Sequence, residues 1–88
     1  MLRVDQKILT SKDIETWLVA HVANAMKIAA AEIDPRQTFE YYGLGSLEGA
    51  SMIGDLENWL GRALDATLVW DYPSIALLAR HLAGEQKQ

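Results

Sequence analysis

Apolar residues recur at intervals of three and four in the first third of the chain and predict one long amphipathic helix. The repeating positions fall on one helical face and are Ile14, Trp17, Leu18, Val22, Ala25 and Ala29. The helix is expected to begin near Thr10 or Ser11, because Thr10 and Asp13 have the spacing of a capping box. Its end is expected within the alanines at 29–31, since Pro35 disfavours helical geometry in the residue before it.

A second helix is predicted from about Ser46 to Leu60. Its repeating apolar positions are Leu47, Ala50, Met52 or Ile53, Leu56 and Leu60. Gly49 and Gly54 each cost up to about 1 kcal/mol relative to alanine in a helix interior, which is tolerable if neighbours pack closely against them. Gly61 suits the left-handed position just past a helix end.

The segment that joins these two helices, Pro35 to Gly45, is longer than most connections in compact domains. It contains four large apolar or aromatic residues, Phe39, Tyr41, Tyr42 and Leu44. Some of them must be buried, so an ordered loop that lies against the helices is predicted.

The last third of the chain predicts a turn at 71–74, with Asp71 or Ser74 as a cap, followed by a final helix. The apolar stripe of that helix is Ile75, Leu78, Ala79 and Leu82. Residues 67–70 resemble a strand, but a lone strand would have no partner, so we predict an extended loop with a short helix near 70–73. The predicted fold is all-α: a small antiparallel four-helix bundle with three main helices, one short helix and the long loop between helices 1 and 2. One domain is expected over residues 1–88, with its core at about 11–83 and flexible ends.

Charge and composition narrow the possible functions. Half of the 88 residues are apolar and none is cysteine, so packing rather than disulfides must stabilise the fold. Residues 40–71 carry six acids against one base, Arg62, and the chain has a net charge of −4. A nucleic-acid partner is not expected, since a phosphate-binding face would need basic residues; a basic protein surface is the expected partner. There is no apolar run long enough to cross a bilayer and no signal segment, so a cytoplasmic monomer is expected.

The segment that could take part in chemistry is 43–47, Gly-Leu-Gly-Ser-Leu, at the predicted start of the second helix. A serine in this place ordinarily caps free backbone N–H groups. The same N–H groups, together with the positive end of the helix dipole, also favour a phosphodiester attached to Ser46. Neither a dinucleotide fingerprint nor a nucleophile elbow is completed, because Glu48 stands where each needs glycine.

Several separated blocks resemble one family in the same order along the chain. They are Asp34-Pro35, Thr38-Phe39, Tyr42 to Leu47, Leu56-Glu57 with Leu60-Gly61, Ala66 to Ser74, and Leu78 to Leu82. Through these blocks the chain resembles acyl carrier proteins over about residues 11–83, and it is closer to the polyketide-synthase type than to the fatty-acid type. The resemblance implies a non-enzymatic carrier of acyl or polyketide intermediates in polyketide or fatty-acid biosynthesis.

Residue by residue, the resemblance implies that Ser46 receives a covalent 4′-phosphopantetheine arm from coenzyme A. It further implies that Leu47 and Met52 contact the phosphopantetheinyl transferase. Gly45 is a departure, because the family pattern has aspartate before the serine, and efficient modification by every transferase is therefore in question. Glu48 and Glu57 are expected to face basic partner surfaces, which include the acyl-transferring and condensing enzymes as well as the transferase. No catalytic residue and no metal site are expected.

Two other interpretations stay open at the level of sequence. The domain could be a peptidyl carrier with the same arm and aminoacyl cargo, or an unmodified interaction module in which Gly45 marks lost recognition. His21 and His81 are expected to pack at the edge of the core rather than to form a catalytic pair with Ser46. The three tryptophans, Trp17, Trp59 and Trp70, are likewise expected to be core or half-exposed packing residues.

Overall fold

The computed structural model describes residues 9–86, and within that range the chain forms helices and no strands. Its α-helices are α1 (Ser11–Met26), α2 (Ser46–Leu60), α3 (Leu68–Asp71) and α4 (Ile75–Gln86), and short 3-10 turns occur at Ala30–Glu32 and Glu40–Tyr42. The predicted all-α class, with three main helices and one short helix, is confirmed. The prediction of flexible ends concerns residues 1–8 and 87–88, which lie outside the described residues.

The start of α1 follows the predicted capping box. The Asp13 N–H donates to Thr10 Oγ1 at 3.1 Å, and Asp13 Oδ2 accepts from the Thr10 N–H at 2.9 Å. Each residue therefore satisfies a backbone donor of the other, which fixes Thr10 as the residue at which α1 is capped.

The end of α1 was predicted too late: the helix stops at Met26. Lys27 adopts a left-handed conformation with φ 61°, and its N–H donates to the Ala23 carbonyl. The Ile28 N–H donates to the same carbonyl at 3.0 Å. These two bonds turn the chain out of the helix, and the alanines that follow enter the separate turn at Ala30–Glu32 instead.

One apolar core unites the three long helices, and α1 packs chiefly against α4. The largest side chains with at most 2% of their surface exposed are Ile14, Leu18, Val22, Met52, Ile53, Leu56, Ile75, Leu78 and Leu82. All four positions predicted for the stripe of the final helix are buried. In α1, however, Ala23 is buried, whereas Ala25 is exposed on another side of the helix and Ala29 lies beyond its end.

The buried face of α2 also differs from the predicted one. Leu47 is 79% exposed and Ala50 is exposed, whereas Gly49 is buried against α3. A Cβ atom at Gly49 would lie 3.3 Å from Val69 Cγ1, so a neighbour does pack closely against this glycine. No such neighbour lies within 4 Å of the Cβ position at Gly54. Glycine at position 49 thus lets α3 approach the first turns of α2.

The long loop before α2 is ordered, as predicted, and is hydrogen-bonded to the segment that joins α3 to α4 and to the first turn of α4. The Phe39 N–H donates to the Pro73 carbonyl at 2.8 Å, and the Ala76 N–H donates to the Pro35 carbonyl at 2.9 Å. Phe39 and Leu44 are the loop side chains that enter the core, with 3% and 6% of their surface exposed. These hydrogen bonds and buried side chains therefore hold the loop in place where it leads into α2.

Two tyrosines of this loop have different surroundings. The Asp34 N–H donates to the Tyr42 hydroxyl at 2.6 Å, and this hydroxyl donates to the Glu32 carbonyl at 3.4 Å, so Tyr42 ties the two ends of the loop together. Tyr41 instead is 66% exposed.

The segment predicted as an extended loop with a short helix near 70–73 forms α3, which begins two residues earlier than that helix. Residues 67–70 are not a strand, and α3 packs against α2. Of the two caps considered for the final helix, Ser74 serves, because its Oγ accepts from the Leu77 N–H at 3.2 Å. Asp71 is the last residue of α3.

Within residues 9–86, none of the helices has the length and apolar character needed to cross a membrane. The same part of the chain brings together no cluster of three or more side chains that could bind a metal ion.

Candidate functional site

Ser46 is the first residue of α2, and its side chain is exposed. Just before it, Gly43 has φ 87°, a left-handed conformation that suits glycine, and its N–H donates to the Glu40 carbonyl at 2.9 Å. Leu44 is buried, and its N–H donates to the Phe39 carbonyl at 3.1 Å. A tight turn and an apolar anchor therefore fix the backbone immediately before the serine, while Ser46 itself faces solvent.

The cap of α2 is only half of a capping box. The Gly45 N–H donates to Glu48 Oε1 at 3.1 Å, and the Gly45 carbonyl accepts the first helical bond from the Gly49 N–H at 2.9 Å. Gly45 has no side chain, so nothing at this position accepts from the first-turn N–H groups. Free donors and the positive end of the helix dipole thus lie beside Ser46, and both favour an anion there.

Two clefts open beside Ser46. The larger one, which we call the loop cleft, has a volume of about 300 Å³ and lies between the long loop and α3. Its apolar lining comes from Phe39, Leu44, Val69, Trp70 and Pro73. The smaller one, the helix cleft, has a volume of about 110 Å³ and lies between α2 and α3. Ser46 and Trp70 line both clefts, so the serine stands at the entrance to apolar surface on two sides.

The residues predicted to contact partner proteins do not form one surface. Leu47, Glu48 and Gly45 are exposed next to Ser46. Met52, in contrast, has 0% of its surface exposed and belongs to the core, so the expected direct contact of Met52 with the transferase is not available in this structure. It is buried because α2 turns the face that contains positions 49, 52, 53 and 56 inward.

Glu57 also has a structural contact of its own. Its Oε2 accepts from the Leu64 N–H at 2.7 Å and so holds the chain that leaves α2. It lies eleven residues after Ser46, which corresponds to roughly 16 Å along a helix. Glu57 is therefore at the opposite end of α2 from the serine, and Glu48 is the acid next to Ser46.

The histidines and two of the tryptophans are packing residues, as predicted. Trp17 stacks on His21 with 5.0 Å between ring centroids and on Trp59 with 5.4 Å. His81 stacks on Tyr72 with a centroid distance of 4.1 Å.

Trp70 differs from the other tryptophans, and no periodic pattern predicted its position beside Ser46. Trp70 is 59% exposed and forms part of the wall of both clefts beside Ser46. Phe39 and Val69 line the loop cleft with it. The available signal was that Val69 and Trp70 fall within one of the blocks that resemble carrier proteins.

A protein-family model described as "Phosphopantetheine attachment site" matches residues 16–82. Among curated proteins, the chain is 37% identical over 67 residues to mycoketide-CoA synthase of Mycobacterium tuberculosis; the match covers 75% of this chain but only 2% of the synthase.

Two solved structures have the same fold. One is a free-standing peptidyl carrier protein from Acinetobacter baumannii, with a TM-score of 0.83 and 38% identity, covering 88% of this chain and 96% of the other. The second is Asl1650 from Anabaena sp. PCC 7120, described as an acyl carrier protein with a variant phosphopantetheinylation-site sequence. It has a TM-score of 0.81 and 33% identity, covering 90% of this chain and 93% of the other.

Proposed function

The chain belongs to the phosphopantetheine attachment family, and from this we propose that Ser46 is the residue that carries the 4′-phosphopantetheine arm. The chain is a carrier protein of the acyl- or peptidyl-carrier type, which holds cargo as a thioester and has no catalytic role of its own. The observation that supports Ser46 is its place: an exposed hydroxyl at the first residue of α2, between two clefts and beside N–H groups without a side-chain cap.

The residues around Ser46 fit an arm attached through a phosphodiester. The serine hydroxyl supplies the oxygen for the ester, and the first-turn N–H groups of Ser46, Leu47 and Glu48 would hold the phosphate. Gly45 leaves open the side of the helix start where another residue would place a side chain. When attached, the arm supplies the thiol that carries the cargo, which a chain without cysteine cannot supply itself.

The clefts support contact between the protein and the part of the arm or cargo near Ser46. Phe39, Val69 and Trp70 offer apolar surface in the loop cleft, and the exposed ring of Trp70 continues it into the helix cleft. Burial of apolar surface against such walls is favourable by about 25 cal/mol per Å². Short apolar cargo is therefore expected to spend part of its time against the protein.

Carrier domains of this family work with the enzymes of polyketide synthases. For this chain we propose a phosphopantetheinyl transferase together with acyl-transferring and condensing enzymes as partners. The exposed surface next to Ser46 combines an apolar side chain, Leu47, with an acid, Glu48. Such a surface fits a partner with an apolar recess bordered by basic groups, and association is expected to weaken as salt rises.

Intact mass spectrometry tests the attachment site. After incubation with coenzyme A and a transferase of broad specificity, the mass should rise by one phosphopantetheine. Ser46→Ala should abolish the rise and leave the helical circular dichroism unchanged, because the side chain is exposed. Ser51→Ala is the matched control, since Ser51 is an exposed serine of the same helix. The Ser51→Ala protein should gain one phosphopantetheine, as the wild type does. Modification of the Ser46→Ala protein would refute the assignment.

Peptidyl carriage is a second candidate, favoured by the 38% identity to a peptidyl carrier protein. The arm and the attachment site would be the same, and the cargo would be aminoacyl rather than acyl. Loading assays with acyl- and with aminoacyl-adenylating enzymes separate the two cargoes. Transferases that modify a known carrier could fail to modify the wild type. In that case the third interpretation, an unmodified interaction module, would replace both the acyl-carrier and the peptidyl-carrier interpretations.

A further inference from the structure

The two clefts beside Ser46 differ in the room that they offer. The helix cleft has a volume of only about 110 Å³, because α3 lies close to the first turns of α2. Val69 packs against Gly49 there: a Cβ atom at position 49 would be 3.3 Å from Val69 Cγ1 and 3.5 Å from Cγ2. The loop cleft, at about 300 Å³, is more than twice as large. A ligand of several carbon atoms therefore has space on the loop side of Ser46 and not between the two helices.

The loop cleft is formed in advance of any ligand. Phe39, Leu44 and Val69 line it with 3%, 6% and 5% of their surface exposed, so this part of the lining belongs to the core. The Phe39 N–H donates to the Pro73 carbonyl at 2.8 Å, and the Leu44 N–H donates to the Phe39 carbonyl at 3.1 Å. These hydrogen bonds join residues of the long loop to each other and to the segment after α3. Little conformational freedom is therefore lost when an apolar group enters.

Trp70 is the large apolar side chain of this lining that remains exposed, with 59% of its surface in solvent. It also lines the helix cleft, so it stands between the two spaces. Aromatic side chains bury a large area at small cost in conformational entropy, which suits Trp70 to cover a ligand. Ser46 lines the same cleft, so cargo on an arm at Ser46 is tethered to it. Tethering gives a millimolar effective concentration, and even a weak affinity then fills the cleft.

From this geometry we propose that the loop cleft is the cargo subsite of the carrier, and that Trp70 is the specificity-determining residue that holds cargo on the loop side of Ser46. The inference rests on the proposed function of Ser46. A volume of about 300 Å³ corresponds to roughly ten water molecules, so the subsite takes acyl groups of up to about eight carbons. Its cargo is apolar and uncharged, because a carboxylate would lose its hydration against Phe39 and Val69 and would meet Glu40, which also lines the cleft.

NMR spectroscopy of the loaded protein tests where the cargo lies. A transferase of broad specificity loads Ser46 with the bare arm, or with an acetyl, butanoyl, hexanoyl or dodecanoyl arm from the corresponding coenzyme A thioester. With hexanoyl, the amide signal of Phe39 and the indole N–H signal of Trp70 should shift relative to the bare arm. The amide signals of Ala50 and Ala66, which line only the helix cleft, should not. The shifts should grow from acetyl to hexanoyl, and dodecanoyl should add nothing further because the cleft is then full.

Two controls separate a specific subsite from general apolar contact. Trp17 and Trp59 stack on each other with 5.4 Å between ring centroids and line neither cleft, so their indole signals should stay in place with every cargo. A malonyl arm is similar in size to a butanoyl arm but carries a carboxylate. It should leave Phe39 and Trp70 at the positions that they have with the bare arm.

Variants test the part assigned to Trp70. Trp70→Ala removes the exposed wall, so the hexanoyl-dependent shift at Phe39 should be lost. Hydroxylamine should also cleave the hexanoyl thioester roughly twofold faster than in the wild type, because cargo that is bound half of the time is protected half of the time. Trp70→Phe keeps an aromatic wall and should retain most of both effects. Ala50→Leu is the matched control: it narrows the helix cleft from an exposed position and should change neither readout.

The outcomes separate this inference from the proposed function. If Ser46 is not modified where a known carrier is modified, no cargo can be loaded and both fail. Loaded protein in which hexanoyl shifts Ala50 and Ala66 instead of Phe39 overturns the subsite and leaves the attachment site intact. The subsite is also overturned if the bare arm alone produces every shift, if malonyl acts as butanoyl does, or if Trp70→Ala changes neither the shift nor the cleavage rate.

Discussion

The two long helices on either side of the loop, α1 and α2, both begin with a capping box. It is complete at α1 and half-formed at α2. At α1, Thr10 and Asp13 each satisfy a backbone N–H of the other. At α2, Glu48 accepts from the Gly45 N–H, but Gly45 offers nothing in return. The α1 cap closes the helix end, whereas the α2 cap leaves donors free.

The difference between the two caps corresponds to the chemistry proposed at the start of each helix. The start of α1 bears no candidate chemistry, so its donors are best satisfied within the chain. The start of α2 bears Ser46, and an anion attached there can satisfy the donors that the chain leaves free. The incomplete cap therefore costs stability in the unmodified protein and provides a place for a phosphodiester.

The largest effect on stability is expected at the complete cap. Thr10→Ala removes the oxygen that accepts from the Asp13 N–H, and loss of such a cap costs about 1 kcal/mol. Urea denaturation should show a lower midpoint with an unchanged slope. The corresponding change at α2, Gly45→Ala, removes no side-chain acceptor, so any loss there comes from the added methyl group, whose carbon would lie 3.0 Å from Glu48 Oε1. An unchanged urea midpoint for Thr10→Ala would contradict the role of Thr10 as the cap of α1.

Much of this comparison was accessible from sequence, because it depends on local spacing. The capping box at Thr10, the left-handed Gly61 after α2 and the apolar stripe of α4 are all signalled within a few residues. Ser46 was identified from the order of several family-like blocks along the chain, because its place at a helix start is equally typical of an ordinary capping serine. Its attachment role stays a proposal.

The features that could not be predicted depend on contacts between distant segments. Lys27 ends α1 in a left-handed conformation that residue type does not indicate. In α2 the apolar residues fit two overlapping stripes, and the one that is buried includes Gly49, which hydrophobicity does not mark. The packing of Val69 against this glycine decides between the stripes and leaves Leu47 in solvent. The position of Trp70 follows from the same approach of α3.

A smaller effect is expected when the incomplete cap is completed. Gly45→Asn supplies an acceptor for the first-turn N–H groups and should stabilise the protein by a few tenths of a kcal/mol. Gly45→Asp adds a favourable charge at the helix start, but it also places a second carboxylate next to that of Glu48. We therefore expect Asp to stabilise no more than Asn at low salt.

The double variant Gly45→Asp with Glu48→Gln isolates this repulsion. If Glu48 lies where the structure has it, removal of its charge should increase the stabilisation by Asp and leave that by Asn unchanged. Urea midpoints for the four combinations at low salt measure the difference, and high salt should reduce it. A larger gain from Asp than from Asn in the presence of Glu48 would contradict the close approach of residue 48 to residue 45.

The smallest effect on stability is expected at the start of the short helix α3, where an aspartate just before the helix accepts hydrogen bonds from Thr67. Asp65 Oδ1 accepts from the Thr67 N–H and from the Thr67 hydroxyl, each at 3.0 Å. These hydrogen bonds, the one from the N–H first, hold the pKa of Asp65 below its ordinary value. The folded protein therefore binds this proton less readily than the unfolded chain, so the contribution of Asp65 to stability is present at neutral pH and is lost as the pH falls below about 4.

Asp65→Asn should lower the urea midpoint slightly at pH 7, because the amide accepts the same hydrogen bonds without a charge. The difference from the wild type should shrink as the pH is lowered through the acidic range and vanish once the carboxyl of the folded protein is protonated. Thr67→Ala removes only the hydroxyl donor, so it should reduce the pH-dependent part without abolishing it. Because Asp65 is exposed, both changes should be smaller than those at either long helix. A difference between Asp65→Asn and wild type that stays constant from neutral to acidic pH would show that the charge of Asp65 does not stabilise the start of α3.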